Sequence, residues 1–450
     1  MKPKKHIVIL GAGPAGLGAA WRLTELGYND FTVYERQEYV GGLAASFTDE
    51  QGFTWDIGGH VLHSHFPYFD AVFKKVLRGA YFTHRRQSWV WIADRFVPYP
   101  LQNNIHRLPE TMRDDCLAGL RKRTSLPPNK HDFASWITAT YGDGIAAHFM
   151  VPYNRKVWAY PLQDMGYRWV ADRVAPVDLV SIEKNIKVGR DDAGWGPNAV
   201  FHYPKKGGTG DIWKRVAKRF ASHIRGKKEA IRIDGKKKRV YFSDGTTDSY
   251  DLLFSSMPLD QLTGLTTGDP TIKKTTALHH SGVTIVGLGM KGNIPQILQK
   301  KCWMYFADPK IPFFRATVLS NYSSHNAPKG CWSLMTELSF SATVPLPKEN
   351  VADAVIRAAK RIGLIPNSAT VIDRFVFTTP YGYPTPTIER DGIVDPLLSQ
   401  LEKSDIYSRG RFGMWKYEIS NQDHTFMQGV EWVDRMLLGK KESLLKSAGK

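Results

Sequence analysis

Six residues, Gly11-Ala12-Gly13-Pro14-Ala15-Gly16, follow directly on the apolar run His6-Ile7-Val8-Ile9-Leu10 and constrain the fold more than any other stretch. The run reads as a buried parallel strand, and Ala15 to Leu26 carries apolar residues at helical spacing. A tight glycine turn between strand and helix brings backbone N–H groups and the positive helix end against a pyrophosphate, with glycines where a Cβ would obstruct it. Phe31-Thr32-Val33-Tyr34-Glu35 reads as a second strand, ending in a carboxylate at the distance that suits an adenosine ribose. Strand, turn, helix, strand and acid in this order predict a Rossmann-like α/β domain that binds a dinucleotide through Gly11, Gly13, Ala15, Gly16 and Glu35.

The next residues bear on which dinucleotide. Arg36 follows Glu35, and Gly41-Gly42-Leu43-Ala44-Ala45-Ser46-Phe47 comes shortly after. This second glycine pair resembles flavoproteins of the glutathione-reductase and amine-oxidase type, in which the backbone there approaches FAD. The resemblance implies FAD as cofactor, with Arg36, Gly42 and Leu43 among its contacts.

With 450 residues, 42% of them hydrophobic, the chain can bury a large core and splits into two or three domains. It contains no run of eighteen apolar residues, and Met1-Lys2-Pro3-Lys4-Lys5 leads straight into a strand, so a cytoplasmic protein without membrane insertion is expected. Cys116, Cys302 and Cys331 are odd in number and form no C-x-x-C pair, which argues against a disulfide framework or a structural zinc site. The formal charge of +18 comes from scattered groups such as Arg121-Lys122-Arg123 and Lys236-Lys237-Lys238. No nucleic-acid reader module accompanies it, so the charge reads as solvated surface that draws anionic small molecules toward a cleft.

Further along, Ala230 to Asp234 and Arg239 to Asp244 flank Gly235-Lys236-Lys237 as a hairpin, and Ser249 to Ser256 reads as a third strand of the same meander. A mostly helical stretch spans about Leu108 to Ile186, and a β-branched and aromatic region spans about Ser281 to Phe377. Soft linkers fall near Pro127-Pro128-Asn129-Lys130 and Thr263 to Pro270. In flavoproteins of the amine-oxidase type such a meander returns the chain to the FAD domain, and this resemblance implies a discontinuous FAD-binding domain of residues 1–88, 200–270 and 395–450. Into it are inserted a helical domain, 105–190, and an antiparallel β-sheet domain, 89–104 with 271–394.

Three groups of motifs go further. The first is Trp55-Asp56-Ile57-Gly58-Gly59-His60-Val61-Leu62-His63-Ser64-His65, followed by Val97-Pro98-Tyr99-Pro100-Leu101-Gln102. The second comprises Tyr153-Asn154-Arg155-Lys156-Val157-Trp158, Asp172-Arg173-Val174-Ala175-Pro176, Gly194-Trp195-Gly196-Pro197-Asn198 and Gly207-Gly208-Thr209-Gly210. The third is Tyr407-Ser408-Arg409-Gly410-Arg411-Phe412-Gly413-Met414-Trp415-Lys416-Tyr417-Glu418, with Asn421-Gln422-Asp423-His424 after it. Together they resemble the UDP-galactopyranose mutases, specifically the eukaryotic-type branch, from the first strand to about Asp434.

The resemblance implies an isomerase that interconverts UDP-galactopyranose and UDP-galactofuranose through a reduced-flavin N5–sugar adduct, without net redox change and with NADPH or NADH as reductant. It implies that Arg173 and Arg315 clamp the diphosphate, Arg315 lying in the matching context Phe313-Phe314-Arg315-Ala316-Thr317. Planar guanidinium forks suit a departing diphosphate better than lysine does. Tyr305, Tyr383, Tyr417 and Asn421 match phosphate contacts, Asn198 and Trp303 match sugar contacts, and Tyr99, Gln102, Phe149 and Asn154 match uridine contacts. Gly58, Gly59 and His60 match the loop facing the isoalloxazine, and Arg411 and Gln422 match C-terminal FAD contacts.

His60, His63 and His65 fall within six residues, but no carboxylate follows at a useful spacing, so no metal site is expected. His63 and Leu101 each stand where the family usually has phenylalanine. A mutase for a different nucleotide sugar, an FAD-dependent oxidase or dehydrogenase of the amine-oxidase type, and a catalytically silent nucleotide-sugar binder stay open. Oligomeric state is not legible.

Overall fold

The computed structural model describes residues 5–127, 129–170 and 173–445. Pro128, Ala171, Asp172 and the terminal residues 1–4 and 446–450 lie outside the described residues. The strand Ile7–Leu10 sits at the centre of a five-stranded parallel sheet, in the order 406–408, 252–255, 7–10, 31–34 and 224–225. Ile7, Val8 and Ile9 are fully buried. A parallel strand covered on both faces needs side chains that are apolar without alternation, and the sequence supplies them. The helices Pro14–Glu25 and Gln422–Leu438 pack against each other beside this sheet, joining the two ends of the chain in one layer.

The meander differs from its sequence reading. Ala230–Asp234 and Arg239–Phe242 pair antiparallel as expected. The expected third strand is two strands: Thr247–Ser249 completes the hairpin, and Leu252–Ser255 leaves it to pair parallel with Ile7–Leu10. Tyr250 and Asp251 make the turn between them, the Tyr250 N–H bonding Lys238 O in one sheet and the Asp251 N–H bonding His6 O in the other.

A second, seven-stranded sheet runs in the order 371–384, 280–291, 331–340, 315–317, 303–306, 88–92 and 95–98. It is antiparallel except where Trp303–Phe306 pairs parallel with Ser88–Ile92, so the sheet is mixed and not wholly antiparallel. The helices Glu110–Lys122, Phe133–Ile145, Val151–Trp158 and Leu179–Val188 occupy the stretch read as helical. Their apolar sides bury Ile137, Tyr141, Phe149 and Trp158 in one cluster that reaches the second sheet at Val90 and Val97. Among the described residues no helix is long and apolar enough to cross a membrane.

Candidate functional site

One cleft of about 1660 Å³ runs from the glycine turn of the five-stranded sheet to the seven-stranded sheet. At its first end Gly11, Gly13, Ala15, Glu35, Arg36, Gly42 and Leu43 form the wall. Gly16 lies behind it, where a Cβ would come within 1.9 Å of Gly11 O, so only glycine lets the helix start this close to the turn. The helix Pro14–Glu25 opens without a side-chain cap and without an acidic residue in its first turn, which leaves its positive end available to an anion. Glu35 accepts the Ala12 N–H at 2.8 Å and the Gln37 N–H at 2.9 Å, which fixes the carboxylate beside the turn. A bare glycine backbone, an open helix end and an anchored acid fit the pyrophosphate and ribose of a dinucleotide.

Midway, the loop Gly58-Gly59-His60 lines the cleft. Its base is held by Asp56, a fully buried carboxyl that accepts from Ser46 Oγ at 2.5 Å, Tyr203 Oη at 2.7 Å and the Thr209 N–H at 3.0 Å. Burial pushes Asp56 up to about 6, with these hydrogen bonds working against the rise. Thr209, from the Gly207-Gly208-Thr209-Gly210 motif, also donates to His60 O at 2.9 Å. Burial, then the charges of Arg411 and Arg315, push His60 down to about 3, so its ring is neutral. His60 Nδ1 is buried without a partner among the described residues.

Arg315 leads the short strand Arg315–Thr317, opposite Glu337 on the neighbouring strand. Its Nε and Nη2 donate to the two oxygens of Glu337 at 2.5 and 2.6 Å. Burial opposes the Arg315 charge, but Glu337 outweighs it and holds the guanidinium ionised. Glu337 also accepts the Gly59 N–H at 3.1 Å, so one carboxylate ties Arg315 to the loop.

Arg173 donates through Nη1 to Asn421 Oδ1 at 3.1 Å and through Nη2 to Glu418 O at 2.5 Å. Its guanidinium lies 4.9 Å from the centre of the Tyr417 ring, and that of Arg411 lies 5.4 Å from the same ring and 5.1 Å from Tyr383. Arg411 bonds only neutral groups, Gly382 O and Ser420, and burial followed by the nearby arginines pulls its pKa down. Among the described residues neither Arg173 nor Arg411 has a carboxylate partner. Three half-buried cations with Glu337 as their one bonded carboxylate leave a net positive charge facing the cleft, which favours an anion there.

Tyr99, Asn198, Trp303, Tyr305, Tyr383, Tyr417 and Asn421 also reach the cleft, as does Gln422, whose Oε1 accepts from Trp213 Nε1 at 2.8 Å. Trp303 Nε1 donates to Tyr305 Oη at 2.6 Å, and the Tyr99 and Tyr305 rings lie 5.2 Å apart. Gln102, Phe149 and Asn154 do not line the cleft. Gln102 Nε2 donates to Ala175 O at 2.9 Å, Asn154 Nδ2 to Met150 O at 2.8 Å, and Phe149 stacks on Tyr153 at 5.3 Å. They form a layer behind Tyr99 and Tyr305.

Sequence reasoning missed three residues here. Glu337 gives no local signal, because its partner is set by strand register. Arg86 reads as a surface charge in Arg85-Arg86, yet its Nη1 donates to Asn198 Oδ1 at 2.5 Å and its Nη2 to Trp195 O, and it lies 5.4 Å from the Tyr99 ring. Asp423 supplies the carboxylate that the histidine run lacked: it accepts from His65 Nδ1 at 2.8 Å and from His424 Nδ1 at 3.1 Å. Burial opposes its charge, but the two imidazoles outweigh burial and hold it well below the usual carboxylate range. Both of its oxygens are thereby taken up in a His–Asp–His hydrogen-bonded group, away from His60.

Residues 9–76 match the family model of an NAD(P)-binding Rossmann-like domain. A 74-residue stretch is 35% identical to the zeta-carotene desaturase of Zea mays, covering 16% of this chain and 13% of the desaturase. The fold is similar to a putative protoporphyrinogen oxidase from Exiguobacterium sp. 255-15, at 15% identity and TM-score 0.72 over 97% of this chain and 99% of that one. It is also similar to the crystal structure of a reduced UDP-galactopyranose mutase, at 43% identity and TM-score 0.95 over 99% of this chain and 96% of that one.

Proposed function

The chain belongs to the UDP-galactopyranose mutase family, and from that premise we propose that it is an isomerase interconverting UDP-galactopyranose and UDP-galactofuranose. The observation that carries the reading is the convergence of Arg173, Arg315 and Arg411 on the same cleft as the dinucleotide turn. A hydride-transferring enzyme needs no such group of cations. A reaction that detaches and re-attaches a diphosphate does.

In this reading residues 1–88, 200–270 and 395–450 form the flavin side, and residues 105–190 with 89–104 and 271–394 form the substrate side. The glycine turn, Glu35, Arg36, Gly42 and Leu43 hold the dinucleotide part of FAD, and Gly58, Gly59, His60, Arg411 and Gln422 surround its ring. Reduced FAD, when bound by these residues, would supply a nucleophilic N5 for the anomeric carbon with no net redox change.

The chain's own side chains do the rest. Arg173 and Arg315, with Tyr305, Tyr383, Tyr417 and Asn421, hold the diphosphate oxygens as charge develops on them, so the nucleotide stays in place while the sugar ring opens and recloses. Asn198, positioned by Arg86, and Trp303 contact the sugar. His60 is neutral and so puts no further charge beside Arg315 and Arg411. Tyr99 meets the uridine. Contacts from Gln102, Phe149 and Asn154 require the tyrosine layer in front of them to shift.

The test is anaerobic incubation of the flavin-loaded protein with UDP-galactopyranose, oxidised or reduced by dithionite, NADPH or NADH, followed by chromatographic separation of pyranose from furanose. Isomerisation by the reduced protein alone is the expected result. No furanose in any arm overturns the reading, and so does steady oxygen consumption with oxidation of the sugar in a parallel aerobic incubation.

A further inference from the structure

We propose that His63 is a diphosphate contact of this chain, donating from Nδ1 as a neutral imidazole to a phosphate oxygen of the bound nucleotide sugar. The proposal rests on the functional reading above and adds to it a residue at a position where resemblance gave a departure and no role.

Three atoms set the tautomer. Arg173 Nη1 donates to Asn421 Oδ1 at 3.1 Å, and this bond turns the amide nitrogen of Asn421 toward His63 Nε2, 3.4 Å away. An amide nitrogen only donates, so Nε2 must be the acceptor and the single ring proton sits on Nδ1. Nδ1 is buried and has no acceptor among the described residues. A buried N–H left without an acceptor is costly, and a ligand that brings one removes the cost.

His63 lines the cleft beside Arg173 and Asn421, where the diphosphate is placed, and phosphate oxygens are the acceptors that arrive there. The groups facing the ring keep it neutral. Burial acts first; Asp423, from the helix Gln422–Leu438, favours protonation; His65, Arg173 and His424 oppose it; the balance pushes His63 down to about 4. A neutral donor adds a hydrogen bond to the phosphate without adding repulsion to Arg173.

The test is calorimetric titration of the FAD-loaded protein with UDP at neutral pH, for the parent and for His63→Phe, His63→Asn and His63→Gln. Phenylalanine keeps the ring shape and removes both nitrogens, asparagine places an N–H near Nδ1, and glutamine places one near Nε2. Phenylalanine is expected to weaken UDP about tenfold to a hundredfold, the worth of a hydrogen bond to a charged acceptor. Asparagine should restore most of the loss and glutamine should not. A long-range ¹H–¹⁵N spectrum of the parent, which needs no substitution, should show Nδ1 protonated and Nε2 bare, with Nδ1 shifting on UDP addition. The assignment is overturned if the phenylalanine variant binds UDP within twofold of the parent, if glutamine rescues in place of asparagine, or if Nε2 carries the proton. A parent protein that does not bind UDP at all sinks the mutase reading and this assignment with it, a result distinct from the other three.

Discussion

Arg315 and Glu337 face each other across adjacent antiparallel strands, and the guanidinium meets both carboxylate oxygens, at 2.5 and 2.6 Å, while the same carboxylate receives the N–H of Gly59. One acid therefore aims the cation and fixes the Gly58-Gly59-His60 loop of the cleft. An Arg315→Lys protein keeps a charge for Glu337 but loses the planar fork. Its kcat/KM for UDP-galactofuranose should fall by about one to two orders of magnitude, measured by chromatography of the reduced enzyme. A near-normal value removes Arg315 from the reaction.

Glu337→Gln leaves the half-buried Arg315 without its counter-charge. Because the guanidinium keeps contact with water, the loss should cost about 1–3 kcal/mol of stability, less than for a fully buried pair, read as a lowered denaturant midpoint. The flavin absorbance should also weaken, because Gly59 loses a charged acceptor.

Gly42 adopts φ +54°, and a Cβ there would come 3.2 Å from the Cα of Gly13 across the dinucleotide turn. Gly42→Ala should raise the flavin dissociation constant about tenfold, through roughly 1–2 kcal/mol of backbone strain at that spot, while the circular dichroism spectrum is retained. Ultrafiltration with absorbance at the flavin band measures it.

Lys156 is half-buried, with Nζ donating to the carbonyl oxygens of Phe306, Ile311 and Phe313 at 2.9, 2.7 and 2.6 Å, and to that of Asp308 at 3.1 Å. Burial pulls it down to about 7, with the Asp308 charge working against the fall. It thereby pins the loop leading into Arg315 to the helix Val151–Trp158. Lys156→Met should cost about 2–3 kcal/mol in thermal unfolding, since it leaves several buried carbonyls unpaired.

His60 and His63 have folded pKa values pushed down to about 3 and about 4, below the ordinary 6.5. Between pH 4 and 6.5 the unfolded chain therefore binds more protons at these sites, so their contribution is complete above 6.5 and is lost as the pH falls. Asp56, raised to about 6 from 3.8, works the other way between those two values. In flavin-free protein His63→Phe should lower the slope of stability against pH by about 1 kcal/mol per pH unit across pH 4.5–6, read from urea titrations at each pH. An unchanged slope shows that His63 titrates alike in both states.

The nucleotide turn was legible because every residue that makes it lies within thirty consecutive positions, where spacing alone decides geometry. Tyr34 and Glu35 end their strand where the carboxylate must meet the turn, and the structure bonds it there to Ala12. The strand expected over Ser249 to Ser256 was drawn as one because apolar alternation does not record a change of sheet; Tyr250 and Asp251 take their hydrogen bonds from different sheets. Glu337, Arg86 and Asp423 carried no signal, since an acid or a guanidinium buried against a distant partner is indistinguishable in sequence from a solvated one.

By itself the sequence determined the order of elements, the dinucleotide turn and the residue types that a diphosphate requires, because these depend on local steric and hydrogen-bonding rules. Only the tertiary structure decided which charges meet. Register across two strands put Glu337 on Arg315, packing of the last helix against the first brought Asn421 and Asp423 to His63 and His65, and the tyrosine layer set Gln102, Phe149 and Asn154 behind the cleft wall. Coulomb energies in a partly desolvated cleft depend on separations of a few ångströms between residues far apart in the chain, and chain folding alone fixes those separations.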